Sequence, residues 1–318
     1  MEKEKLSVDG QNLESAATLR IMVYGVAGVG KSTLALSGEG KSFVIDFDNG
    51  MKRVDIMHRF GHKVWQPKKE NGKVWEQIIK LFETEDWSQY NNVVVDTIGK
   101  MLDYIIEYKC GMAQPSLKQW GEINGIFVWF LNRLDELQKN VIFVAHDATT
   151  GADADYHKPA VREKNFTTIV TSLDLLGFVQ AENINGVNCR TITFDATSTS
   201  LGKNSAQLPY KMVIPTIISN GEYTGNNTFL GRSVVGEYRR NQARQLKVVQ
   251  QFQAVCEKIA DDVILITDGA SAKAFADNID SYEHIGTSKE VAREMFKMQL
   301  AALGLKYNKE TGEYEAEV

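Results

Sequence analysis

The chain has 318 residues, of which 43% are hydrophobic, and its net charge is −5. This composition provides a sizeable core and excludes a protein that coats nucleic acid through bulk positive charge, so any nucleic-acid contact must be local. The three cysteines are odd in number and far apart, which indicates a reducing compartment rather than a disulfide framework. Because no apolar run is long enough for a signal peptide or a membrane span, we expect a cytoplasmic protein with no membrane partner.

Residues 1–18 are polar, and we expect them to form a flexible segment. Residues 19–24 are an apolar run that predicts a strand. This strand leads into residues 25–32, whose sequence Gly-Val-Ala-Gly-Val-Gly-Lys-Ser is a complete G-x-x-x-x-G-K-[ST] phosphate-binding loop. A helix is expected from Thr33 onwards, and strand, loop and helix together are the setting that the motif requires. The sequence therefore predicts a site for a nucleoside triphosphate.

Each part of this loop has a predicted task. The glycines let the backbone turn so that its N–H groups surround phosphate oxygens, and the helix that follows adds the positive end of its dipole. Lys31 is expected to reach the β- and γ-phosphates of ATP, and the hydroxyl of Ser32 is expected to be a ligand of Mg²⁺. The predicted nucleotide contacts are Gly25, Val26, Ala27, Gly28, Val29, Gly30, Lys31, Ser32 and Thr33.

Strand-like and helix-like stretches alternate over the next part of the chain. The predicted strands cover residues 42–47, 63–66, 92–96 and 141–145, and the predicted helices cover residues 74–82, 98–109 and 118–138. This alternation is typical of an α/β fold in which a mostly parallel sheet is flanked by helices. A loop is predicted at residues 147–168, and Asn185-Gly186 predicts a hairpin turn between two further strands at 175–183 and 187–196.

The pattern indicates an ATPase core at residues 19–236, a helical region at 237–305 and an acidic tail at 306–318. A group of basic residues surrounds the start of the helical region, and two of them, Arg240 and Arg244, share a helical face. A charged, solvated helix is the usual explanation of such a group. A contact with a second subunit or with DNA is the alternative.

Asp96 ends the strand predicted at residues 92–96, and a carboxylate at this edge of a parallel sheet is placed to meet a ligand. Together with the phosphate-binding loop, it predicts a Walker B aspartate that holds the hydration shell of Mg²⁺ on the side opposite Ser32. An ordinary capping residue at the end of a strand is the alternative. Thr97 follows, whereas ATPases of the AAA+ class usually carry their catalytic glutamate there, so the sequence argues against that class.

A general base must then come from another strand, and residues 43–48 contain two acids, Asp46 and Asp48. The chain resembles the core of RecA-type ATPases in three features. They are these two acids, an aspartate followed by a small hydroxyl residue, and a polar residue, His146, at the end of the next strand. The resemblance implies a RecA-like P-loop fold with Asp48 as the catalytic base. Asp48 is one methylene shorter than the family's glutamate, and a simple turn residue before Asn49 is the alternative. The choice between Asp48 and Asp46 stays open.

Further features are similar to phage-encoded RecA-core ATPases of the Sak four group, which are single-strand-annealing recombination proteins. They extend the resemblance over residues 19–215 and are Tyr24-Gly25, Trp120-Gly121, His146-Asp147, Lys203-Asn204 and Leu208-Pro209. The resemblance implies that His146 senses the γ-phosphate and that Lys203 reaches the nucleotide of a neighbouring subunit, although Ser205 stands where an arginine is expected. It also implies a homo-oligomer, ring or filament, that acts with a single-strand-binding protein on single-stranded DNA in the bacterial host cytoplasm.

The loop predicted after the strand at 141–145 carries the candidate DNA contacts. Its basic residues alternate with Tyr156 and Phe166, and such side chains can follow the phosphates and stack on the bases of a single strand. Acidic residues dilute the charge, so composition alone fits a solvated loop equally well, and the resemblance favours DNA. The predicted DNA contacts are Lys158, Arg162 and Lys164.

Three classes of function stay open. The first is a DNA-stimulated ATPase of phage DNA recombination, annealing or repair. The second is a DnaB-like DNA motor, which shares the core but has a longer chain. The third is a nucleotide-dependent switch or a small-molecule kinase. A kinase needs several arginines to close over the transferred phosphate, and the loop at 147–168 offers only Arg162.

Overall fold

The structure is a computed structural model that describes residues 18–69, 73–148, 156–219 and 221–316. Its centre is a sheet of parallel strands that lie side by side in the order β3-β2-β4-β5-β1-β6. The strands are β1 (Arg20–Gly25), β2 (Ser42–Asp46), β3 (Lys63–Trp65), β4 (Asn92–Asp96), β5 (Asn140–His146) and β6 (Leu175–Ile184). This arrangement confirms the mostly parallel sheet that the sequence predicts.

An antiparallel extension continues the sheet beyond β6. It consists of β7 (Val187–Thr193), β8 (Lys203–Asn204) and β9 (Lys211–Ile214). Asn185 and Gly186 join β6 to β7 with φ values of 53° and 83°, and a type I′ turn requires positive φ at both positions. β8 pairs with β6, and β9 pairs with β7. The sheet therefore ends in three-residue β3 on one side and four-residue β9 on the other.

Helices cover both faces of the sheet. They are α1 (Lys31–Ala35), α2 (Ile56–Arg59), α3 (Val74–Thr84), α4 (Ile98–Cys110), α5 (Leu117–Glu136) and α6 (Glu163–Ser172). Short 3-10 turns lie at Met51–Arg53 and Trp87–Gln89, and a π-helical turn lies at Leu230–Val235. One apolar core joins one face of the sheet to α3, α4 and α5, and a second joins the other face to α1 and the π-helical turn. Parallel strands that are buried on both faces are rich in hydrophobic residues, as residues 93–95 of β4 are.

Local sequence explains where two of these helices begin. The hydroxyl of Thr97 accepts a hydrogen bond from the backbone N–H of Lys100 and caps α4. Ser116 and Gln119 form a reciprocal capping box at the start of α5. These caps fix the helix that directly follows Asp96 and the helix that packs beside it.

Two segments differ from the sequence-based expectation. The predicted loop at 147–168 includes the first half of α6, because Asn165 and Ile169, four residues apart, bury one face of a helix in an otherwise polar stretch. The predicted acidic tail includes part of an antiparallel pair, β12 (Leu305–Tyr307) with β13 (Tyr314–Ala316). The flexible segment predicted at 1–18 lies outside the described residues apart from Thr18.

The chain separates into two compact units, Met1–Arg239 and Arg240–Val318. The first unit also holds the short pair β10 (Ile218–Ser219) with β11 (Glu222–Tyr223). The second unit has its own apolar core, which includes Ile259, Phe275 and Phe296. Its helices are α7 (Gly236–Ile264, from Arg240 on), α8 (Gly269–Asn278) and α9 (Ser288–Leu303), with a 3-10 turn at Ile279–Ser281. No helix in the described part of the chain is both long and apolar enough to cross a membrane.

Candidate active site

The phosphate-binding loop joins the end of β1 to the start of α1. Gly28 and Gly30 have φ values of 80° and 97°, a conformation that glycine adopts without strain. A Cβ atom on Gly25 would overlap the carbonyl oxygen of Val179, so β6 approaches the loop closely only because residue 25 is a glycine. Residues 26–28 are exposed, which leaves the crest of the loop open to a ligand.

Lys31 lies inside this loop, with 6% of its surface exposed. Its ammonium group donates a hydrogen bond of 2.8 Å to the carbonyl oxygen of Val26. Burial lowers the pKa of Lys31, and the nearby carboxylates of Asp96, Asp147 and Asp48 oppose that shift. A cation surrounded by three carboxylates has an electrostatic reason to stay charged, and it is placed to bind phosphate oxygens above the loop.

Asp96 ends β4 beside the loop and is almost completely buried. The pKa of Asp96 is raised to about 6, mainly because the residue is buried. The negative charges of Asp48 and Asp46 add to this rise, whereas a hydrogen bond from Ser32 and the positive charge of Lys31 oppose it. The Oδ2 atom of Asp96 is buried and has no hydrogen-bond partner among the described residues. Buried carboxylate oxygens normally have a partner, so this atom is available to a ligand. Mg²⁺ binds oxygen ligands, and a carboxylate and a hydroxyl lie side by side here. Ser32 and Asp96 therefore fit the predicted metal site.

Asp48 lies just beyond the end of β2 and faces β4 and β5. Its Oδ2 atom is 3.4 Å from Nε2 of His146 and accepts a 3.4 Å hydrogen bond from the hydroxyl of Thr97. The hydrogen bond with His146 is the main reason that the pKa of Asp48 is lowered. Its Oδ1 atom is buried and has no partner among the described residues. Asp48 and His146 also line a cavity of about 320 Å³, together with Lys100 and Arg162. The site thus presents an ionised carboxylate to a space that can hold water.

Asp46 has entirely different surroundings. Its Oδ1 atom accepts a hydrogen bond from the N–H of Gly50, and its Oδ2 atom accepts bonds from the N–H of Met51 and the side chain of Gln66. These distances are 2.9, 3.0 and 2.7 Å, and the residue is 1% exposed. Asp46 therefore stabilises the turn after β2. Of the two acids that the sequence leaves open, the geometry favours Asp48 as the base.

The segment after His146 is tied to the phosphate-binding strand. The N–H of Ala160 donates to the carbonyl oxygen of His146 at 2.8 Å, and the imidazole of His157 pairs with the carboxylate of Asp147. The hydroxyl of Tyr24, one residue before the loop, donates to the carbonyl oxygen of Leu201 at 2.6 Å and lies 3.1 Å from the carbonyl oxygen of His157. No motif in the sequence indicates His157, because its role depends on a pairing of backbone segments.

The three predicted DNA contacts lie in different settings. Arg162 is exposed, its guanidinium group stands 5.3 Å from the ring centre of Trp120, and it lines the cavity beside Asp48. Lys164 is exposed on α6, so it does not belong to a loop. Lys158 is half-buried in the segment that pairs with residues 146–148. Their role as DNA contacts stays a prediction.

Lys203 lies away from the phosphate-binding loop of its own subunit. Its ammonium group donates hydrogen bonds of 3.2 and 3.0 Å to the carbonyl oxygens of Val170 and Thr171, in the last turn of α6. A cation at this end of a helix satisfies carbonyl groups that lack partners within the helix. Lys203 therefore caps α6, and its predicted reach into a neighbouring subunit stays a prediction.

Arg190 lies near the site although no sequence motif indicates it. A Cβ atom on Gly30 would lie 3.4 Å from Nε of Arg190, so the guanidinium group rests against the phosphate-binding loop. No ion pair of the described residues involves Arg190. Its position follows from the register of the β6–β7 hairpin, where Arg190 pairs with Ala181, and no local motif signals that register. A cation at this position can add to the binding of phosphate.

The model of the AAA_24 family, described as an AAA domain, matches residues 17–206. No curated protein matches the sequence significantly. Among solved structures, the chain is similar to the flagellar accessory protein FlaH from Methanocaldococcus jannaschii, with 13% identity, a TM-score of 0.37, and coverage of 61% of this chain and 84% of that chain. The family match corrects the argument drawn from Thr97, because the matching family is described as an AAA domain although a hydroxyl residue follows Asp96 in this chain. The chain belongs to the AAA domain family and is a P-loop ATPase with a mostly parallel sheet flanked by helices.

Proposed function

We propose that this protein hydrolyses ATP with Asp48 as the general base and with Mg²⁺ held by Ser32 and Asp96. The observation that carries the proposal is the Asp48 carboxylate itself. Its Oδ2 atom lies 3.4 Å from both His146 and the hydroxyl of Thr97, its Oδ1 atom is buried without a partner among the described residues, and the residue lines the cavity. A carboxylate kept ionised next to a space for water is what a general base requires. When bound, Mg²⁺ neutralises negative charge on the transferred phosphoryl group.

Each group at the site has a separate role in the proposed hydrolysis. Backbone N–H groups of the loop and the ammonium group of Lys31 bind and orient the β- and γ-phosphates. Asp48 accepts the proton of the attacking water, and His146 keeps Asp48 ionised and oriented. Because phosphoryl transfer is mostly positioning and charge stabilisation, these contacts carry most of the expected rate enhancement.

We also propose that hydrolysis is coupled to single-stranded DNA in phage DNA recombination, annealing or repair. The hydrogen bonds that join residues 157–160 to His146 and Asp147 support this coupling, because they connect a candidate γ-phosphate sensor to the segment that carries Lys158. The resemblance to RecA-type recombination ATPases supports it further. The protein would act as a homo-oligomer, ring or filament, with a single-strand-binding protein as partner.

The test is ATP turnover with and without a single-stranded oligonucleotide. Wild type should hydrolyse ATP faster with the oligonucleotide, and Asp48→Asn should bind ATP normally but turn over roughly 10²–10⁴-fold more slowly, as after loss of a general base. Asp103→Asn is the matched control, because Asp103 lines the same cavity but pairs with Lys100 at the surface. Its turnover should stay within about a factor of two of wild type, in keeping with the small energy of a surface ion pair.

Two results would contradict the proposal. Wild-type turnover in Asp48→Asn would remove Asp48 from the role of base. An absence of oligonucleotide stimulation would reject the coupling to DNA and leave the switch or small-molecule kinase. If stimulation occurs, strand annealing without directional unwinding separates the recombination protein from a DnaB-like motor.

A further inference from the structure

Residues 51–69 are strongly basic in a chain that is acidic overall. The segment contains six lysines and arginines and one acid, Asp55, whereas the whole chain has a net charge of −5. Two aromatic side chains, Phe60 and Trp65, lie between the basic residues. Basic and aromatic residues together form surfaces that bind single-stranded nucleic acid.

The fold gathers part of this segment around a cleft of about 560 Å³. The cleft lies between the turn after β2 and the end of β3, at the carboxyl edge of the sheet. Its lining includes Lys52, Arg59, Trp65, Gln66 and Lys68, and no acid is among the described residues that line it. The local charge is therefore positive, and the cleft is separate from the cavity beside Asp48.

Ion pairs distinguish the cations of the cleft from their neighbours in sequence. Lys63 and Lys69 lie outside the lining and pair with Glu85 and Glu107, at 2.6 and 2.8 Å. Lys52 and Lys68 are exposed, and no ion pair of the described residues involves them. Their charges are thus available to an anionic ligand, whereas those of Lys63 and Lys69 are partly neutralised.

Arg59 and Trp65 supply a second kind of observation. The Nε atom of Arg59 is buried and has no hydrogen-bond partner among the described residues. A buried donor without an acceptor is costly, and a phosphate oxygen is an acceptor that suits a guanidinium group. Trp65 packs against the core and also lines the cleft, so its indole ring can serve as a platform for a base.

The cleft also connects to the catalytic strand. The side-chain amide of Gln66 donates to Oδ2 of Asp46 at 2.7 Å and to Oδ1 of Asn49 at 2.9 Å. Asn49 lines the cleft and directly follows Asp48 in sequence. A ligand that contacts Asn49, or Gln66 bound to it, therefore lies beside the residue that follows the proposed general base.

We propose that this cleft binds single-stranded nucleic acid, with phosphates on Lys52, Arg59 and Lys68 and a base against Trp65. The inference rests on the DNA coupling of the proposed function and places the main contacts outside residues 157–164. DNA and RNA share the chemistry that the cleft recognises, so both are used in the test.

The experiment compares two double variants in the full-length protein. Lys52→Gln with Lys68→Gln removes two charges of the cleft, and Lys63→Gln with Lys69→Gln removes the same charge from the same segment outside the cleft. Binding of labelled oligothymidylate and oligouridylate is measured by fluorescence anisotropy over a series of salt concentrations, with Mg²⁺ and a non-hydrolysable ATP analogue. ATP affinity is measured in parallel to verify that each variant keeps its nucleotide site.

We expect the cleft variant to bind at least tenfold more weakly than the control at low salt. The slope of log affinity against log salt should fall by about 1.4, because each phosphate contact to a single strand contributes about 0.7. Tighter binding of one oligonucleotide would identify DNA or RNA as the ligand, and either result supports the cleft.

Equal affinities and equal salt slopes for the two double variants would overturn the cleft while leaving the proposed function intact, and would return suspicion to Lys158, Arg162 and Lys164. A wild-type protein that binds neither oligonucleotide would overturn the cleft and the DNA coupling together. The two failures are therefore distinguishable from the wild-type titration alone.

Discussion

Asp46 and Asp48 are separated by one residue, yet their carboxylates have opposite surroundings. Asp46 ends β2 and uses both oxygens to hold the turn that follows, whereas Asp48 leaves one oxygen buried without a partner among the described residues. The sequence presents both as acids after a hydrophobic strand. Which one is available for chemistry depends on the N–H groups of Gly50 and Met51, and on Gln66 just after β3. Those positions are set by the fold.

The buried carboxylate of Asp96 predicts a conflict between function and stability. Because burial raises the pKa of Asp96 to about 6, its charge above that pH costs folding free energy. In nucleotide-free protein with a chelator, Asp96→Asn should therefore raise the free energy of unfolding at pH 7, by up to about 3 kcal/mol. The same variant should bind Mg²⁺-ATP more weakly, because an amide cannot match the charge of the metal shell.

The pH dependence of this effect has a definite sign. Between pH 6 and the ordinary pKa of an aspartate, the folded state holds the proton more tightly than the unfolded state, so wild-type stability rises as pH falls. The advantage of Asp96→Asn should shrink from pH 7 to pH 4.5 in urea titrations. Asp103→Asn serves as the control with an exposed acid. An Asp96→Asn protein that is less stable than wild type at pH 7 would contradict the argument.

At the scale of elements, strong local patterns predict structure and weak ones do not. The β-branched run of β4 occupies the predicted residues, and the limits of α4 and α5 differ from the prediction by no more than two residues. By contrast, α6 has a polar sequence with few buried positions, and β8 has only two residues. Such elements are stabilised by partners distant in sequence, so no local pattern indicates them.

The junction of β1 and β6 gives a test at this scale. Gly25→Ala should lower the free energy of unfolding by about 1–3 kcal/mol, because its Cβ atom would overlap the backbone carbonyl of Val179 and force the strands apart. Gly121→Ala is the control: Gly121 is inside α5, nothing lies near its added Cβ, and alanine should stabilise the helix by about 1 kcal/mol. Urea unfolding of both variants measures the difference, and a Gly25→Ala protein as stable as wild type would refute the close approach of β6.

At the scale of the whole molecule, the sequence predicts the phosphate-binding loop and the Asp96 strand end because each is a short contiguous motif. The contact between Asp48 and His146 joins residues 98 positions apart, and the cationic cleft combines the turn after β2 with β3 and α3. Such sites depend on strand order and register. The position of Arg190 cannot be predicted locally either. Its approach to Gly30 depends on the β6–β7 hairpin, in which β6 pairs with β1.

The second unit should fold by itself. A fragment of residues 240–318 has its own apolar core, in which the ring of Phe296 lies 5.0 Å from that of Phe275 and 5.5 Å from that of Tyr314. We expect a helical circular dichroism spectrum and a cooperative thermal transition. Phe296→Ala should destabilise the fragment by about 3–5 kcal/mol and can unfold it, and Phe296→Leu should cost less.

Met298→Ala is the matched control for this fragment, because Met298 lies on the same helix with 64% of its surface exposed. Its thermal midpoint should stay close to that of the unmodified fragment. A fragment that shows no cooperative transition would mean that its apolar core is insufficient without the first unit. A Met298→Ala effect as large as that of Phe296→Leu would mean that the core is wrongly assigned.

The two ends of the central sheet have a consequence for how copies of the chain meet. A long edge strand with free N–H and C=O groups recruits strands from other molecules and leads to aggregation. Here the end strands are β3 and β9, with three and four residues, and they begin with Lys63 and Lys211; β8, which pairs with β6 alone among the described strands, has two residues. Such edges disfavour strand addition, so aggregation through the edges of the sheet is disfavoured while the chain refolds. Any assembly of copies would then join side-chain surfaces and leave the sheet the same width in every subunit.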